Sequence, residues 1–244
     1  MGAGMQKDYE NIIIIPARGG SKSIKNKNLY KFYGKPLLYW TIKQALMSKK
    51  SKKVYVTSDC NKILKFSKNL GAEIIKRPKK YSLDKSSSEE AILHAMKIIN
   101  EDYRTIVFLQ ATSPLRKKND IDNALSEFYK TKSDSLFSCH KSSDWIDVWV
   151  SNQKKLLPLT IDYKNRIPRQ LIKHNYFQQN GSIYIFKKNI IEKYKNRLGG
   201  NINVYEMEEW QSFQLDYKKQ LSYMELLFEK FLKKDYPIFS NDNH

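Results

Sequence analysis

Four consecutive isoleucines at residues 12–15 stand directly before a loop that is crowded with glycine, lysine and asparagine. An unbroken β-branched run indicates a strand that is buried on both faces, which is typical of a parallel sheet covered by helices. The next segment, PARGGSKSIKNKN at residues 16–28, carries too many cations to be buried. The sequence therefore predicts an α/β domain whose first strand ends in an exposed, positively charged loop.

Short apolar runs alternate with segments of helical periodicity along most of the chain, which predicts a parallel α/β sheet. Four helices are predicted from stripes of apolar residues. The first begins behind Pro36, the second ends at Gly71, and the others lie near residue 91 and near residue 221. Strands are predicted at residues 12–15, 54–57, 73–75, 105–110, 135–139 and 182–186.

The alternation breaks between residues 141 and 179, where Trp145, Ile146, Val148 and Trp149 occur without a helical or alternating pattern. This stretch is interpreted as an excursion from the sheet: an arm, a lid or a dimer contact. No repeat or low-complexity linker is visible, so one domain with an insertion is the simplest organisation. The predicted core comprises residues 5–140 and 180–234, the predicted arm comprises residues 141–179, and residues 1–4 are interpreted as a vector remnant.

The net charge of +19 is compatible with a nucleic acid, an anionic membrane surface or small anionic substrates as partners. Only seven of the 44 basic residues are arginine, and lysine accompanies abundant isoleucine and asparagine, as expected from AT-rich coding. We therefore predict neither a nucleic-acid nor a membrane partner. The sequence shows no long apolar span and no secretory signal, and its two cysteines, Cys60 and Cys139, suit a reducing cytoplasm.

The loop after the first predicted strand has the chemistry of an anion site. Gly19 and Gly20 allow backbone N–H groups to approach a phosphate closely, and the neighbouring cations supply charge. Neither the dinucleotide fingerprint nor the P-loop motif is present. From these residues alone, a solvated basic turn remains an equal alternative.

Further fragments follow in order: GKPLLYWTI, VTSD, RPKKYSLDKSSS, FLQATSPLR and QNGSIYIF. Together with PARGGSKSIKNKN they resemble the bacterial CMP-sialic acid synthetases, or acylneuraminate cytidylyltransferases, over residues 11–232. The resemblance implies a Rossmann-like nucleotidyltransferase core with a dimerisation arm. It also implies a homodimer that transfers CMP from CTP to an acidic keto sugar and depends on Mg²⁺.

The resemblance further implies that Arg18, Lys22 and Lys27 hold the CTP phosphates and the departing pyrophosphate, with Gly19 and Gly20 in the same loop. Phosphoryl-type transfer depends mainly on positioning and on neutralising charge on oxygen, which agrees with this role. Lys25 has no clear counterpart and is predicted to be a solvated lysine. Two roles stay open for Asn28, because a nucleotide contact and a local turn cap are both compatible with this residue.

Arg77, Ser87 and Ser88 resemble the segment that reads cytosine. Capping of the next helix is the alternative role for the serines, and both roles are compatible. Asp59, in VTSD, is predicted to cap the helix that follows it.

Gln110, Arg169 and Asn180 resemble residues near the acceptor sugar, and the Arg169 guanidinium would match the sugar carboxylate, possibly in a partner's site. The alternatives are a structural amide for Gln110 and a turn with Gly181 for Asn180. Arg116 is predicted to anchor the next helix.

Two departures from the family pattern stand out. Gln214 and Asp216 occupy positions where the family has two magnesium-binding aspartates, and an amide is the poorer ligand. Either Asp216 holds the metal with phosphates and waters, or the metal site is weakened. The segment SSDWIDVW at residues 142–149 also differs from sialic acid enzymes.

The predicted function is activation of a nine-carbon, sialic acid-like 2-keto-3-deoxy sugar acid with CTP. The alternatives are the same reaction on a legionaminic, pseudaminic or Kdo-like acid, or a non-catalytic polyanion-binding protein that retains the fold.

Overall fold

The protein is represented by a computed structural model that describes residues 10–142, 147–152, 154–171 and 175–236. A seven-stranded sheet forms its centre, and two short pairs of strands lie outside that sheet. The strands are β1 Asn11–Pro16, β2 Lys31–Phe32, β3 Lys35–Pro36, β4 Lys53–Ser58, β5 Glu73–Lys76, β6 Thr105–Leu109, β7 Ser135–Lys141, β8 Trp149–Ser151, β9 Leu156–Pro158, β10 Phe177–Lys187 and β11 Ile202–Glu206.

Helices cover both faces of the sheet, as the isoleucine run predicts. Ile13 and Ile15 pack in one cluster with side chains of α1, α2 and α4, whereas Ile12 and Ile14 pack in a second cluster with α3 and α5. Successive residues of a strand point to opposite faces, so one run serves two cores. The helices are α1 Leu37–Leu46, α2 Asn61–Asn69, α3 Ser88–Ile98, α4 Asp120–Lys130, α5 Lys188–Tyr194 and α6 Leu221–Phe231.

The strand order of the sheet is β11-β7-β10-β6-β1-β4-β5, and β10 runs antiparallel to both of its neighbours. The other pairings in this sheet are parallel, so the predicted α/β class with a mostly parallel sheet is confirmed. The chain runs outward from β1 through β4 to β5 and then returns to β6 on the other side of β1. The carboxyl ends of β1 and β6 therefore border a topological switch point, where ligands bind in sheets of this kind.

Two predicted helix boundaries agree with the structure. α1 begins directly behind Pro36, which is itself not helical, since its backbone is extended (φ −56°, ψ 141°) and it pairs with Lys31 of β2. Gly71 follows α2 with φ +99°, a conformation that glycine adopts readily, and the helix ends there as predicted. The sequence reading did not identify α4, α5 or β11; the last is an edge strand whose only ladder partner in the described part is β7.

The stretch predicted as an arm contains a small hairpin. β8 and β9 pair antiparallel, with Trp149 opposite Pro158. β7 and β10 extend into the predicted arm, since β7 ends at Lys141 and β10 begins at Phe177. Trp145, Ile146 and residues 1–4 lie outside the described residues. No helix in the described part of the chain is long and apolar enough to cross a membrane.

Candidate functional site

A crevice of about 480 Å³ opens at the carboxyl ends of β1 and β6, at the switch point of the sheet. A larger cavity of about 870 Å³ lies at the opposite end of the sheet, beside the amino ends of β1 and β6 and away from the predicted site residues. The smaller crevice is the candidate site, since it gathers residues from distant parts of the chain. The predicted site residues that line it are Arg18, Gly20, Lys22, Lys27, Asn28, Arg77, Ser87, Ser88, Gln110, Gln214 and Asp216.

Gly19 brings the first loop close to the end of β4. Its N–H donates to Asp59 Oδ1 at 2.9 Å, and a Cβ on Gly19 would lie only 2.8 Å from the Cys60 Cβ. Any side chain at this position would therefore displace the loop. The cap predicted for Asp59 is wrong: Cys60 is the N-cap of α2 and makes no side-chain cap, while the Asp59 carboxylate receives the Gly19 N–H instead. Gly20, in contrast, has open space around its Cα and lines the crevice.

The cations of the loop are held by two carboxylates. Asp84 Oδ1 lies 3.1 Å from Arg18 Nη1, and Asp84 Oδ2 lies 2.9 Å from Lys22 Nζ. The hydrogen bond from Lys22 lowers the pKa of the Asp84 carboxyl below its usual value. Lys27 Nζ lies 2.9 Å from Asp216 Oδ1, and the lysine side chain is only 13% exposed. Paired in this way, the three cations face the crevice in a defined arrangement.

Asn28 stabilises the loop after β1, because its Nδ2 donates to the backbone carbonyl of Arg18 at 2.8 Å. The short 3-10 helix at this point has Asn26, not Asn28, as its N-cap. Asp84 is a site residue that sequence reasoning missed. The signal that could have found it is its position in RPKKYSLDKSSS, between Arg77 and Ser87.

Arg77 lies almost fully buried at the wall of the crevice, with 4% exposure. Burial lowers the pKa of its guanidinium from the usual value. Its Nε has no hydrogen-bond partner among the described residues, and the same holds for the buried Ser82 Oγ, which also lines the crevice. Buried polar atoms in native proteins are normally paired, so these two atoms are unsatisfied hydrogen-bonding groups in residues of the crevice wall. Sequence reasoning did not single out Ser82.

The two predicted serines have different roles. Ser87 is the N-cap of α3: its Oγ accepts from Glu90 N at 3.1 Å, and its own N–H donates to Glu90 Oε2 at 3.0 Å. The capping alternative is thus confirmed for Ser87. Ser88 is the first residue of the helix and lines the crevice beside it. The amino end of α3 therefore faces the crevice, where its dipole favours an electron-rich group.

Gln110 and Gln214 meet at a glycine. Gly181 has φ +69°, and a Cβ on it would lie 2.5 Å from Gln214 Nε2 and 2.9 Å from Gln110 Oε1. Gln214 Nε2 donates to the Asn180 carbonyl at 2.6 Å, which a carboxylate could not do. This contact gives the amide a structural role at a position where the sequence departs from the pattern that it resembles. The hydrogen bond from Gln214 holds the turn at Asn180 and Gly181, beside Gln110.

Asn180 itself does not line the crevice. Its side-chain oxygen accepts from Ser138 Oγ at 2.6 Å and from Ser182 N at 3.1 Å inside the protein, which agrees with the turn alternative. The backbone of Arg169 lies in a short 3-10 helix, Arg169–Leu171, whereas its side chain lies outside what the structure describes.

Arg116 does not anchor the following helix as predicted. It is fully buried and donates to the carbonyls of Gln110, at 2.9 Å, and Ser182, at 2.7 Å. It also donates to Gln44 of α1 at 3.1 Å. Burial lowers the pKa of its guanidinium to about 10. Arg116 thus holds the segment that follows β6 against the middle of β10.

The crevice could hold a metal ion through Asp216. Among the described residues, no group of three or more His, Cys, Asp or Glu side chains is placed to bind a metal. Asp216 is about half exposed at the crevice, and its carboxylate is a hard oxygen ligand. Mg²⁺ commonly takes one or two carboxylates and completes its shell with substrate phosphates and waters, so this donor set fits such an ion.

Comparisons with known proteins agree with this geometry. A family described as cytidylyltransferase matches residues 12–241. The N-acylneuraminate cytidylyltransferase of Escherichia coli O18:K1:H7 is 32% identical over 209 residues, which are 84% of this chain and 49% of that protein. The pseudaminic acid cytidylyltransferase of Campylobacter jejuni serotype O:23/36 is 31% identical over 192 residues, which are 77% of this chain and 71% of that protein.

The chain thus spans about half the length of the N-acylneuraminate relatives that it matches. Among solved structures, a CMP:2-keto-3-deoxy-manno-octonic acid synthetase complexed with CTP has a TM-score of 0.69 and 20% identity. The match covers 90% of this chain and 98% of that chain. At this identity the likeness concerns the fold.

Proposed function

The chain belongs to the cytidylyltransferase family, and we propose that it transfers CMP from CTP to a nine-carbon, sialic acid-like 2-keto-3-deoxy sugar acid. The anomeric hydroxyl of the sugar attacks the α-phosphorus in line. A new oxygen–phosphorus bond forms, the bond to the β-phosphate breaks, pyrophosphate leaves and the hydroxyl proton passes to solvent.

The observation that carries this proposal is the set of three cations in one crevice at the switch point of the sheet. Arg18, Lys22 and Lys27 come from the loop after β1 and are spaced by Asp84 and Asp216. In the reaction they bind the triphosphate and neutralise charge on the departing pyrophosphate, where phosphoryl transfer needs stabilisation. The Gly19 and Gly20 loop brings backbone close to the same phosphates.

The wall made by Arg77, Ser82 and Ser88 is proposed to take the cytosine. Arg77 Nε and Ser82 Oγ are buried atoms with no partner in the described part of the chain, so binding a base edge there costs little desolvation. Asn28 holds the loop that closes over the ribose and phosphates.

The sugar acid is proposed to bind at the side formed by Gln110, with Arg169 pairing with its carboxylate. Asn180 contributes by shaping the turn beside Gln110. Apolar side chains of the arm are exposed in the chain, and we propose that they pack in a homodimer, so that Arg169 reaches the partner's crevice.

Magnesium is proposed as the metal, held mainly by Asp216, with Gln214 as a weak ligand, because its neutral amide oxygen is a poorer ligand than a carboxylate and already accepts from Thr112 Oγ1. When bound, the ion would neutralise charge on the phosphate oxygens. Lys27, which shares Asp216, keeps that carboxylate oriented toward the crevice.

A second candidate is the same reaction on pseudaminic acid. The Campylobacter jejuni relative is matched over 71% of its length at 31% identity, against 49% of the Escherichia coli relative at 32%. The departure at residues 142–149 from the sialic acid pattern also favours this candidate.

Pyrophosphate release tests both. The protein is mixed with CTP and, separately, with sialic, legionaminic, pseudaminic and Kdo acids, with magnesium and with EDTA. We expect release with CTP and one nonulosonic acid, far faster than with ATP, GTP or UTP. Comparable turnover with a purine triphosphate would contradict the proposed cytosine site. No pyrophosphate release with any acid would favour the non-catalytic, polyanion-binding alternative.

A further inference from the structure

Arg197 lies in the loop between α5 and β11 and does not line the crevice. Its guanidinium nevertheless contacts two parts of the molecule that do. One is an aromatic side chain at the end of β6, and the other is the first turn of α3. These two parts are far apart in the sequence, and Arg197 is remote from both.

The aromatic contact is with a pair of rings on neighbouring strands. Phe108 and Tyr184 stack with centroids 5.4 Å apart and planes 16° apart, and they are direct cross-strand partners in β6 and β10. The guanidinium carbon of Arg197 lies 4.7 Å from the Phe108 centroid and 4.6 Å from the Tyr184 centroid. Both distances are within the range of a cation–π contact. Phe108 also lines the crevice, where it is only 1% exposed, so the guanidinium packs against a residue of the crevice wall.

The contact with α3 is an ion pair. Arg197 Nε donates to Glu89 Oε1 at 2.7 Å, and each side chain is only 16% exposed. A pair with so little solvent contact is more strongly coupled than a surface pair, because water screens it less. Glu89 directly follows Ser87 and Ser88, which line the crevice at the amino end of the same helix.

We propose that Arg197 is a positioning residue for the nucleotide base. It fixes the spacing between the Phe108 ring and the first turn of α3, which form two sides of the slot that the cytosine would enter. This inference rests on the proposed function. A slot that is already formed before binding saves the free energy of ordering its walls, and that saving appears as affinity for the nucleotide.

Arg197 differs in this respect from Arg116, which is fully buried behind the crevice. Arg116 donates to the carbonyls of Gln110 and Ser182 and to Gln44 of α1, so it holds the segment after β6 against β10, on the proposed sugar side. The two residues therefore predict different kinetic defects. Loss of Arg197 should alter the response to the nucleotide and spare the sugar acid.

The test compares Arg197→Met and Glu89→Gln with Lys187→Met as a matched control. Lys187 pairs with Asp134 at 2.7 Å at the opposite end of β10, away from the crevice. For Arg197→Met and Glu89→Gln we expect the KM for CTP to rise about tenfold, the kcat to fall by less than about threefold, and the preference for CTP over UTP to narrow. The control should leave all three values close to those of the unmodified protein.

Two further variants sharpen the result. Arg197→Lys keeps a charge for Glu89 and the rings and should recover part of the CTP affinity. The double variant Arg197→Met with Glu89→Gln should have a KM for CTP no higher than that of the more impaired single variant, because the two residues act as one unit. A merely structural role would lower the amount of folded, active protein without changing the KM or the preference for CTP.

The outcomes separate the two levels of the argument. If the unmodified protein neither binds nor turns over CTP, the proposed function fails and this inference falls with it. If it uses CTP normally while both single variants match the Lys187→Met control, the inference alone is overturned. Should Arg197→Met fail to fold in a thermal melt, the isosteric Glu89→Gln carries the same kinetic comparison and decides the question.

Discussion

The crevice and the arm differ in how their side chains are held. In the crevice, cations pair with carboxylates, Arg77 is buried, and hydrogen bonds from Gly19 and Asn28 hold the loop after β1. In the arm, large apolar side chains face solvent, with Leu156 64% exposed and Leu159 67% exposed. The crevice is therefore organised within one chain. The arm, in contrast, exposes apolar side chains of a kind that monomeric proteins seldom leave in solvent and that oligomers bury at an interface. If this is correct, changes in the crevice should act on each subunit alone, and changes in the arm should act through the dimer.

The largest effect is expected for Lys27→Met. This change removes a cation that we propose to bind the phosphates and leaves the Asp216 carboxylate without its ion-pair partner, so kcat/KM should fall about 1,000-fold. Lys25→Met is the matched control, because Lys25 lies in the same loop but is exposed and does not line the crevice. Steady-state kinetics with CTP check both variants. A similar loss in both, or in neither, would contradict the assignment of Lys27.

The next effect should come from the paired change Leu156→Asp with Leu159→Asp. Two charges on the exposed apolar surface of the arm should convert the proposed dimer to monomers and lower kcat/KM about 50-fold, since each crevice then lacks the partner's arm. Light scattering after gel filtration measures the mass. Leu226→Asp, on the exposed face of α6, controls for the added charge and should change neither mass nor activity. A dimer that survives the paired change would place the interface elsewhere.

A smaller effect is expected for Arg169→Ala, which should raise the KM for the sugar acid about 20-fold and leave CTP affinity nearly intact. Arg166→Ala is the control, since Arg166 pairs with Asp147 on the arm at 3.3 Å.

Mixing Arg169→Ala with Asp216→Ala subunits should restore about a quarter of the activity if each site takes one residue from each chain, as mixing statistics for a two-fold pair require. Absence of recovery, once subunit exchange is verified, would assign Arg169 to its own subunit's site or to no site.

The smallest effect should follow Gln214→Asp. A second carboxylate beside Asp216 should lower the magnesium concentration for half-maximal activity about threefold. The same change removes the donor to the Asn180 carbonyl, so the melting temperature should fall by a few degrees. Gln214→Asn, an amide of the same length as aspartate, separates the two effects. An unchanged magnesium requirement would mean that residue 214 does not approach the metal.

Much of the core and of the crevice could be predicted from sequence, for reasons that differ between elements. Strands β1, β4 and β6 are apolar runs whose pattern is local, and the glycine-lysine loop lies beside the strand that positions it. The edge strand β11, in contrast, depends on pairing with β7, and its own residues are half exposed. Ser87 shows that one local motif can be compatible with two roles. It forms the capping box of α3, and it also lines the crevice, where a nucleotide contact was the other predicted role.

Local patterns in the chain were sufficient for the α/β class, for the end of the sheet at which a ligand would bind, and for the family, because each depends on residues that are close in sequence. They could not show that Lys27 pairs with Asp216, 189 residues away, or that Asp84 spaces Arg18 and Lys22. Nor could they show that Gln214 holds the Asn180 turn, or that Arg197 joins Phe108 to Glu89. These contacts arise only when the strand order and register bring separate loops to the same end of the sheet, since hydrogen bonds and ion pairs require atoms about 3 Å apart.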